Sequence, residues 1–319
     1  MLEKFFTVAP RARSVEQYGG TLEVLLFNGR ARSLVRLLAV PVEPTLTSTP
    51  PADGPHLAQS DALSLGLAFP QFRDITRSRF HKHLRLLFGP WANQEIVCVG
   101  ENTEPDDFPP IFSSEEELQP ITQQQRLEHD PSTQEVISVE PATLYDYTRT
   151  GVSEVQKEPC MLDEIFRLRE HFTSRRLCTS ADLITLGLRP RSDREFLPTN
   201  EPWVLRNLTK KQFVRAEAVA LKPEFIHGPD IDVIGFGEVL LTRICWSSAP
   251  AVGIEDPTNI CRGVWAGHRF DITTLARHQK ETGDEADWAD VSEEIAKEIA
   301  TIWRSNFGAD WREFLCEFG

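Results

Sequence analysis

Apolar residues recur at helical spacing in several parts of the chain, most clearly near its C-terminus. Asp290 and Glu293 stand three residues apart in the pattern of a capping box. The apolar residues that follow share one helical face: Ile295, Ile299, Ile302 and the neighbouring Trp303. This spacing predicts a helix that opens at Asp290. The same periodicity predicts helices over residues 30–40 and 161–172.

Segments rich in apolar residues predict strands elsewhere. These segments cover residues 21–27, 94–99, 238–246 and 262–272. We expect the last two to pair in an antiparallel fashion across a connection too long for a tight hairpin. Strands and helices follow one another without a regular strand–helix–strand alternation. The pattern therefore predicts an α+β fold, an antiparallel sheet with packed helices, and it is compatible with two related half-modules.

Proline-rich polar stretches interrupt this pattern twice. Residues 41–60 hold five prolines, and residues 101–135 are acidic and rich in Pro and Gln. Such compositions are typical of loops and linkers, so both stretches are predicted to be mobile. We predict an N-terminal half at 1–140 and a C-terminal half at 141–319. One compact domain is the alternative.

One short sequence pattern occurs twice. Residues 72–82 and 205–215 share, in the same order, an apolar residue, Arg, Asp or Asn, Ile or Leu, Thr and a basic residue. Thr76 and Thr209 suit helix N-caps, and Gln212 completes a capping box in the second copy. Each copy therefore predicts a helix that begins at its threonine.

Each copy leads to a Trp-Ala pair at the start of a predicted strand. The two tryptophans are Trp91 and Trp265. A large aromatic side chain with one N–H donor suits either a binding groove or the core. Both interpretations are open at this point.

Basic residues stand in the first turns of the two predicted helices. A cation there lies at the positive end of the helix dipole, next to free backbone N–H groups, so the arrangement predicts an anion site. The alternative is a solvated surface. The candidate anion-binding or partner-binding residues are Arg73, Thr76, Arg77, Trp91, Arg206, Thr209, Lys210, Lys211, Trp265 and Arg269.

A second candidate site contains metal-ligand residue types. His227, Asp230 and Asp232 lie close together in sequence, and His268 follows on a later apolar run. Imidazole and carboxylate groups are ligands for divalent metals, so these residues form a candidate hydrolytic metal site. The alternative is a turn in which the aspartates bind backbone N–H groups. The chain contains no complete cofactor fingerprint, and we predict no cofactor.

Composition narrows the class of partner. The 319 residues are 40% hydrophobic and carry a net charge of -14, which favours a folded chain and disfavours general nucleic-acid binding. No apolar run is long enough to span a membrane. The six cysteines form no C-x-x-C pair, and most stand in apolar runs as reduced thiols. These features predict a cytoplasmic or nuclear protein.

Three segments of the C-terminal half resemble a large set of uncharacterised fungal proteins, some of them labelled F-box-like. The segments are residues 203–218, 235–248 and 262–272, and the resemblance covers about residues 140–311. It implies a fungal origin and an adaptor role. The Leu-Pro-x-Glu start of an F-box is absent from residues 21–26. We therefore expect a non-enzymatic interaction or adaptor protein with an unknown protein partner. The alternative is a metal-assisted hydrolase with a site around His227 and His268.

Overall fold

A computed structural model gives the architecture. It describes residues 3–16, 19–42, 59–76, 79, 88–112, 125–129, 136–150, 152–154, 196–249, 253–283 and 287–317. The helices of these residues are, in chain order, α1 (Leu22–Phe27), α2 (Arg32–Leu38), α3 (Gln59–Ala68), α4 (Leu144–Thr150), α5 (Ala216–Val219), α6 (Phe236–Ile244), α7 (Leu275–Thr282), α8 (Ser292–Phe307) and α9 (Trp311–Cys316).

The strands of the described residues are short. In chain order they are β1 (Phe5–Ala9), β2 (Ser14–Val15), β3 (Val97–Gly100), β4 (Gln125–His129), β5 (Val136–Pro141), β6 (Ser153–Glu154), β7 (Trp203–Asn207), β8 (Gln212–Arg215), β9 (Ile226–His227), β10 (Asp230–Ile231), β11 (Cys245–Trp246), β12 (Phe270–Thr274) and β13 (Ala289–Asp290). Helices and mostly antiparallel strands share the core, so the fold is α+β as predicted.

The two larger sheets are built on one plan. The first has the strand order β11-β3-β1-β2-β6, and the second has the order β12-β7-β8-β13. At the edge of the second sheet, Ala39 makes a parallel bridge with Ile272 of β12. At the edge of the first, Cys245 of β11 pairs in parallel with Cys98 of β3. Each half of the chain thus contributes a short segment to the other half's sheet.

The registers of the two sheets also match. Ala9 pairs with Ser14 across β1 and β2, and Asn207 pairs with Gln212 across β7 and β8. The tight turns between these strands carry equivalent left-handed residues, Arg13 at φ 48° and Lys211 at φ 52°. The structure therefore has two half-modules of one topology: an N-terminal one from β1 to β6 and a C-terminal one from β7 to α8.

Two predicted strands are helices, and those two predictions are wrong. Residues 21–27 form α1, because the Thr21 hydroxyl caps the Val24 N–H, and because the buried Leu22, Leu25 and Leu26 fall at helical spacing within the apolar run. Most of residues 238–246 belong to α6, whose residues are all buried. A helix buried on every side has the same continuous apolar sequence as a buried strand.

Other predictions are confirmed in whole or in part. The helix predicted over 30–40 is α2, and that predicted from Asp290 is α8, which begins two residues later with Ile295, Ile299 and Ile302 buried. Within residues 262–272, only the last three lie in a strand. The predicted antiparallel pairing of 238–246 with 262–272 is confirmed only in part: Trp246 and Arg262 form one antiparallel bridge, whereas β12 pairs with β7 and β11 with β3.

Part of the segment predicted to be mobile packs against the fold. Within residues 101–135, Phe112 and Thr103 are buried, and residues 125–129 form β4, which pairs with β5. Residues 43–58, 113–124 and 130–135 lie outside the described residues, as does the helix predicted over 161–172. Within the described ranges, no helix combines the length and apolar character that a membrane crossing requires.

The two half-modules meet where α2 packs against α6. Ala39 and Cys245 are the equivalent residues that each half contributes to the other half's sheet. Ala31 and Gly237 each stand eight residues before them, so Ala31 and Gly237 occupy equivalent positions. A Cβ added to Gly237 would lie 2.1 Å from the carbonyl oxygen of Ala31. The absence of a side chain at Gly237 therefore permits the close approach of the half-modules.

Candidate functional site

The first copy of the repeated pattern does not form a capped helix start. Residues 73–76 are already helical, so Thr76 lies within a helix and the N-cap prediction is wrong. The Thr76 side chain is buried against Gly66 of α3. Arg73 is half-buried within the helical residues 73–76, and Arg77 lies outside the described residues.

The second copy of the pattern is a β-hairpin. Asn207 ends β7, and its side-chain oxygen accepts hydrogen bonds from the backbone N–H groups of Thr209 and Lys210, each at 3.1 Å. The Thr209 hydroxyl accepts from the backbone N–H of Arg269 at 3.0 Å. The predicted helix N-cap at Thr209 is therefore wrong. The backbone donors that were to bind an anion are already occupied.

The basic residues around this hairpin divide into exposed and neutralised groups. Lys210 and Arg269 are exposed, and Lys211 forms an exposed ion pair with Asp287 at 3.2 Å. Arg206 is buried and donates two hydrogen bonds of 2.7 Å to the carboxylate of Asp271, so the charge of its guanidinium is neutralised inside the protein. Arg206 is therefore a structural residue, and its assignment to an anion site is wrong.

The two predicted tryptophans occupy equivalent places in the core. Trp91 donates its indole N–H to Ser14 at 2.8 Å, and Trp265 donates its own to Gln212 at 3.1 Å. Ser14 and Gln212 are the first residues of β2 and β8. Both tryptophans are buried, so the core interpretation holds and neither lines a groove.

The candidate metal residues are held by protein partners. The His227 ring lies 3.0 Å from Asp232, and the carboxylate of Asp230 binds Arg32 and Arg36. In the part of the chain that the structure describes, no group of three or more His, Cys, Asp or Glu side chains could hold a metal ion. The predicted set around His227 is therefore not assembled as a metal site.

His268, the last member of that predicted set, is part of the C-terminal half-module's core. Its Nδ1 accepts a hydrogen bond from the side-chain amide of Asn207 at 2.9 Å. Burial, together with the nearby charge of Lys210, lowers the pKa of His268 to about 4. The imidazole is therefore neutral at physiological pH and serves as a hydrogen-bond acceptor in the core.

An open cleft lies between the two half-modules and the C-terminal helices. Its volume is about 430 Å³. The N-terminal half-module lines it through α1 and the start of α2, and the other walls come from the β10–α6 connection, α8 and α9. The lining residues are Leu26, Phe27, Gly29, Arg32, Ile231, Asp232, Val233, Glu238, Trp303, Phe307 and Leu315. Meeting points of modules are common places for binding sites.

Aromatic rings form one wall and the rim of this cleft. Phe27 contacts Trp303 and Phe307 edge to face, with ring centroids 5.1 and 4.9 Å apart. Phe307 stacks on Phe314 of α9 with centroids 6.0 Å apart, and the Phe314 side chain is 49% exposed. The cleft thus opens beside a pair of partly exposed aromatic rings.

The polar side of the cleft contains a buried carboxyl group. Glu238 lies in the first turn of α6, and its carboxylate accepts the backbone N–H of Gly235 at 2.8 Å. Burial raises the pKa of Glu238 to about 7, although the neighbouring Arg32 opposes that shift. Glu238 is therefore close to half protonated at neutral pH.

The other charged groups of the cleft are already paired. Arg32 approaches Asp230 at 3.3 Å and Asp232 at 3.4 Å. Arg36 binds the second oxygen of Asp230 at 2.9 Å. Among the described residues, Glu238 forms no ion pair and is held by backbone N–H groups alone. Among the described residues that line the cleft, Glu238 is therefore a carboxyl group without an ion pair, although it is buried and the charge of Arg32 acts on it.

A strained turn shapes the edge of the cleft. Val233 has φ 70°, and the backbone N–H of Ile234 bonds to the carbonyl of Asp232 at 2.9 Å. An i-to-i+2 bond around a positive φ is the rarer form of γ-turn, and a β-branched residue there is strained. Strain of this kind concentrates at functional sites.

The sequence analysis did not find this site. The residues that it missed are Phe27, Glu238, Phe307 and Phe314, which come from segments far apart in the chain. The one local signal was the Gly235-x-x-Glu238 spacing, which a helix cap would explain, but the segment was taken for a strand. The chain matches no protein-family model, no curated protein and no solved structure.

The buried carboxyl gives a pH-dependent prediction. The folded state holds a proton on Glu238 up to about pH 7, whereas the unfolded chain releases it near pH 4.5. The unfolding free energy contributed by this group therefore falls as pH rises from 4.5 to 7. When the pH is raised from 5 to 8, the unfolding free energy of Glu238→Gln should increase relative to that of the wild type by roughly 2–3 kcal/mol. Urea unfolding of both proteins at the two pH values measures this change.

The control for this experiment is Glu23→Gln, which alters an exposed carboxylate in α1. The difference in unfolding free energy between Glu23→Gln and the wild type should be the same at pH 5 and pH 8. The glutamine at 238 retains an oxygen that can accept the Gly235 N–H, so the cap is preserved. An equal difference between Glu238→Gln and the wild type at pH 5 and pH 8 would show that Glu238 does not titrate in this range.

Proposed function

We propose that this chain is a non-enzymatic interaction protein, an adaptor of the cytoplasm or nucleus. In this proposal the cleft between its half-modules receives an apolar side chain from a partner protein. The observation that carries the proposal is the open cleft beside the exposed Phe307–Phe314 pair. Partner-binding surfaces place a few aromatic anchors in and around a pocket. The resemblance of the C-terminal half to a large set of uncharacterised fungal proteins, some of them labelled F-box-like, is compatible with such a role.

The rigid surroundings of the cleft support this function. Trp303 is buried beneath the aromatic wall, and Ile295, Ile299 and Ile302 anchor α8 in the main core. The cleft wall is therefore fixed before a partner arrives, which reduces the ordering entropy lost on binding.

The test uses two phenylalanines with the same exposure. Phe314 and Phe69 are each 49% exposed; among the described residues, Phe314 contacts Phe307 and Phe69 contacts Phe72. We expect Phe314→Ser to reduce capture of the partner at least about tenfold, because the loss of an aromatic anchor in a binding surface typically costs more than 1 kcal/mol. Phe69→Ser should leave capture unchanged. The measurement is quantitative affinity purification from the native organism.

Both possible failures of this experiment are informative. Recovery of no protein above background with the wild-type chain counts against an adaptor role. Equal recovery with wild type and Phe314→Ser shows that any partner binds elsewhere on the protein. Circular dichroism and thermal unfolding of both serine variants would show whether an altered capture reflects a loss of fold.

A further inference from the structure

We propose that the group received by the cleft is a cationic side chain with an apolar stem, a lysine of the partner, whose ammonium group pairs with the Glu238 carboxylate. This inference rests on the proposed function and specifies the chemistry of the bound segment. It has three supports in the structure: the charge balance of the lining, the aromatic wall, and the position of Glu238.

The charge balance of the lining favours a cation. The two arginines at this site each contact a carboxylate, since Arg32 binds Asp230 and Asp232, and Arg36 binds Asp230. The remaining lining carboxyl is Glu238, which has only backbone N–H partners among the described residues. An incoming ammonium would supply the missing partner and strengthen a hydrogen bond to an ionised group.

The walls suit the stem of a lysine. A lysine side chain has an apolar chain that packs against hydrophobic surface, while its charged end seeks a polar group. The rings of Phe27, Trp303 and Phe307 line the cleft, and aromatic faces attract cations electrostatically. A net charge of -14 on the whole chain also favours the approach of a basic segment.

Among the charged groups packed around Glu238, Arg32 acts on its carboxyl group through space, and the ion pairs of Arg32 with Asp230 and Asp232 offset that charge. Arg32 comes from α2, and Asp230 and Asp232 from β10 and the turn after it, with His227 of β9 beside Asp232. On α8, Glu294 and Glu298 pair with Arg243 near the other end of α6. Glu238 is thus the carboxyl that an ammonium in the cleft can neutralise.

Three small probes of equal length test the inference directly. They are n-hexylammonium, 1-hexanol and hexanoate, and their binding is followed through the NMR signal of the Trp303 indole N–H. We expect hexylammonium to bind saturably and about tenfold more tightly than hexanol, a difference typical of one hydrogen bond to a charged group. Hexanoate should bind most weakly. Equal or tighter binding of hexanol or hexanoate, or no saturable binding of hexylammonium, would overturn the inference.

A variant and a pH series strengthen this test. Glu238→Gln should weaken hexylammonium about tenfold, to the level of hexanol, and leave hexanol unchanged. In the wild type, affinity for hexylammonium should rise from pH 6 to pH 8 as Glu238 ionises, and this rise should be absent in Glu238→Gln. The wild-type measurements stand alone if the variant does not fold. A flat pH profile in the wild type contradicts the pairing.

Partner capture separates this inference from the function on which it rests. If Phe314→Ser loses the partner and Glu238→Gln retains it in full, the cleft is a docking site, but the inference that it receives a lysine is wrong. If both variants lose the partner, both statements stand. If neither loses it, the proposed function fails as well.

Discussion

Replacement of Arg206 by methionine is expected to lower the unfolding free energy by about 3–5 kcal/mol, the usual cost of breaking a buried ion pair. Arg206 of β7 and Asp271 of β12 are register partners, and two bonds of 2.7 Å join the guanidinium to the carboxylate. Both side chains are less than 10% exposed. The variant leaves the Asp271 charge buried without its partner, and that desolvation is the source of the large effect. Urea unfolding at neutral pH measures it.

The chain offers a matched control on the same carboxylate network. Arg277 binds Glu281 at 2.7 Å, as Arg206 also does, but the Arg277 side chain is 42% exposed. Arg277→Met should therefore cost no more than about 0.5 kcal/mol. The double variant Arg206→Met with Asp271→Leu should recover much of the loss, because it removes both charges. A loss below about 1 kcal/mol in Arg206→Met would show that the pair is not buried in solution.

The fold class could be predicted from the sequence, whereas some elements could not. Periodicity identified α2 and α8, since each has one apolar face and a polar remainder. It failed for α6, because every residue of that helix is buried, its polar residues included, and its central residues are apolar. It also failed for α1, whose helical spacing of leucines is hidden in a run of six residues.

The plan of two half-modules was only half visible in the sequence. The Trp-Ala pairs do occupy equivalent places, since Trp91 and Trp265 bond to the first residues of β2 and β8. The pattern at residues 72–82 and 205–215 does not, because one copy is helical and the other is a hairpin. The matching registers make β7 and β8 the equivalents of β1 and β2, although the side chains of the equivalent strands differ almost throughout. Backbone pairing preserves a topology even where side chains have lost their resemblance.

The cleft could not be predicted from the sequence for a different reason. Its walls come from α1, the β10–α6 connection, α8 and α9, which are separated by up to almost the whole chain. Phe27 and Phe307 carry no local signal of a site, since each is one apolar residue at the end of a helix. A site assembled from distant helix ends requires the tertiary structure for its recognition.

The second large change in unfolding free energy is expected at the contact between the half-modules. Glycine is a poorer helix former than alanine by up to roughly 1 kcal/mol, so Gly237→Ala, at the second residue of α6, would ordinarily stabilise the protein. Here the new Cβ would lie 2.1 Å from the Ala31 carbonyl oxygen and 2.4 Å from its carbonyl carbon. Backbone atoms cannot rotate away as a side chain can, so α2 and α6 must separate. We expect a loss of about 3 kcal/mol or more in unfolding free energy.

The sign of this change is the decisive measurement. Gly283→Ala provides the comparison, because Gly283 has φ 57° and no heavy atom within 4 Å of an added Cβ. At φ 57° and ψ -140°, a conformation that side chains disfavour, backbone strain alone should cost about 1–3 kcal/mol. The Gly237→Ala variant should also lose binding of hexylammonium, since Arg32 and Glu238, the next residues along α2 and α6, line the cleft. A stabilised Gly237→Ala protein would mean that the two helices lie farther apart than in this structure. In that case the cleft between the half-modules would not have the shape on which its proposed function depends.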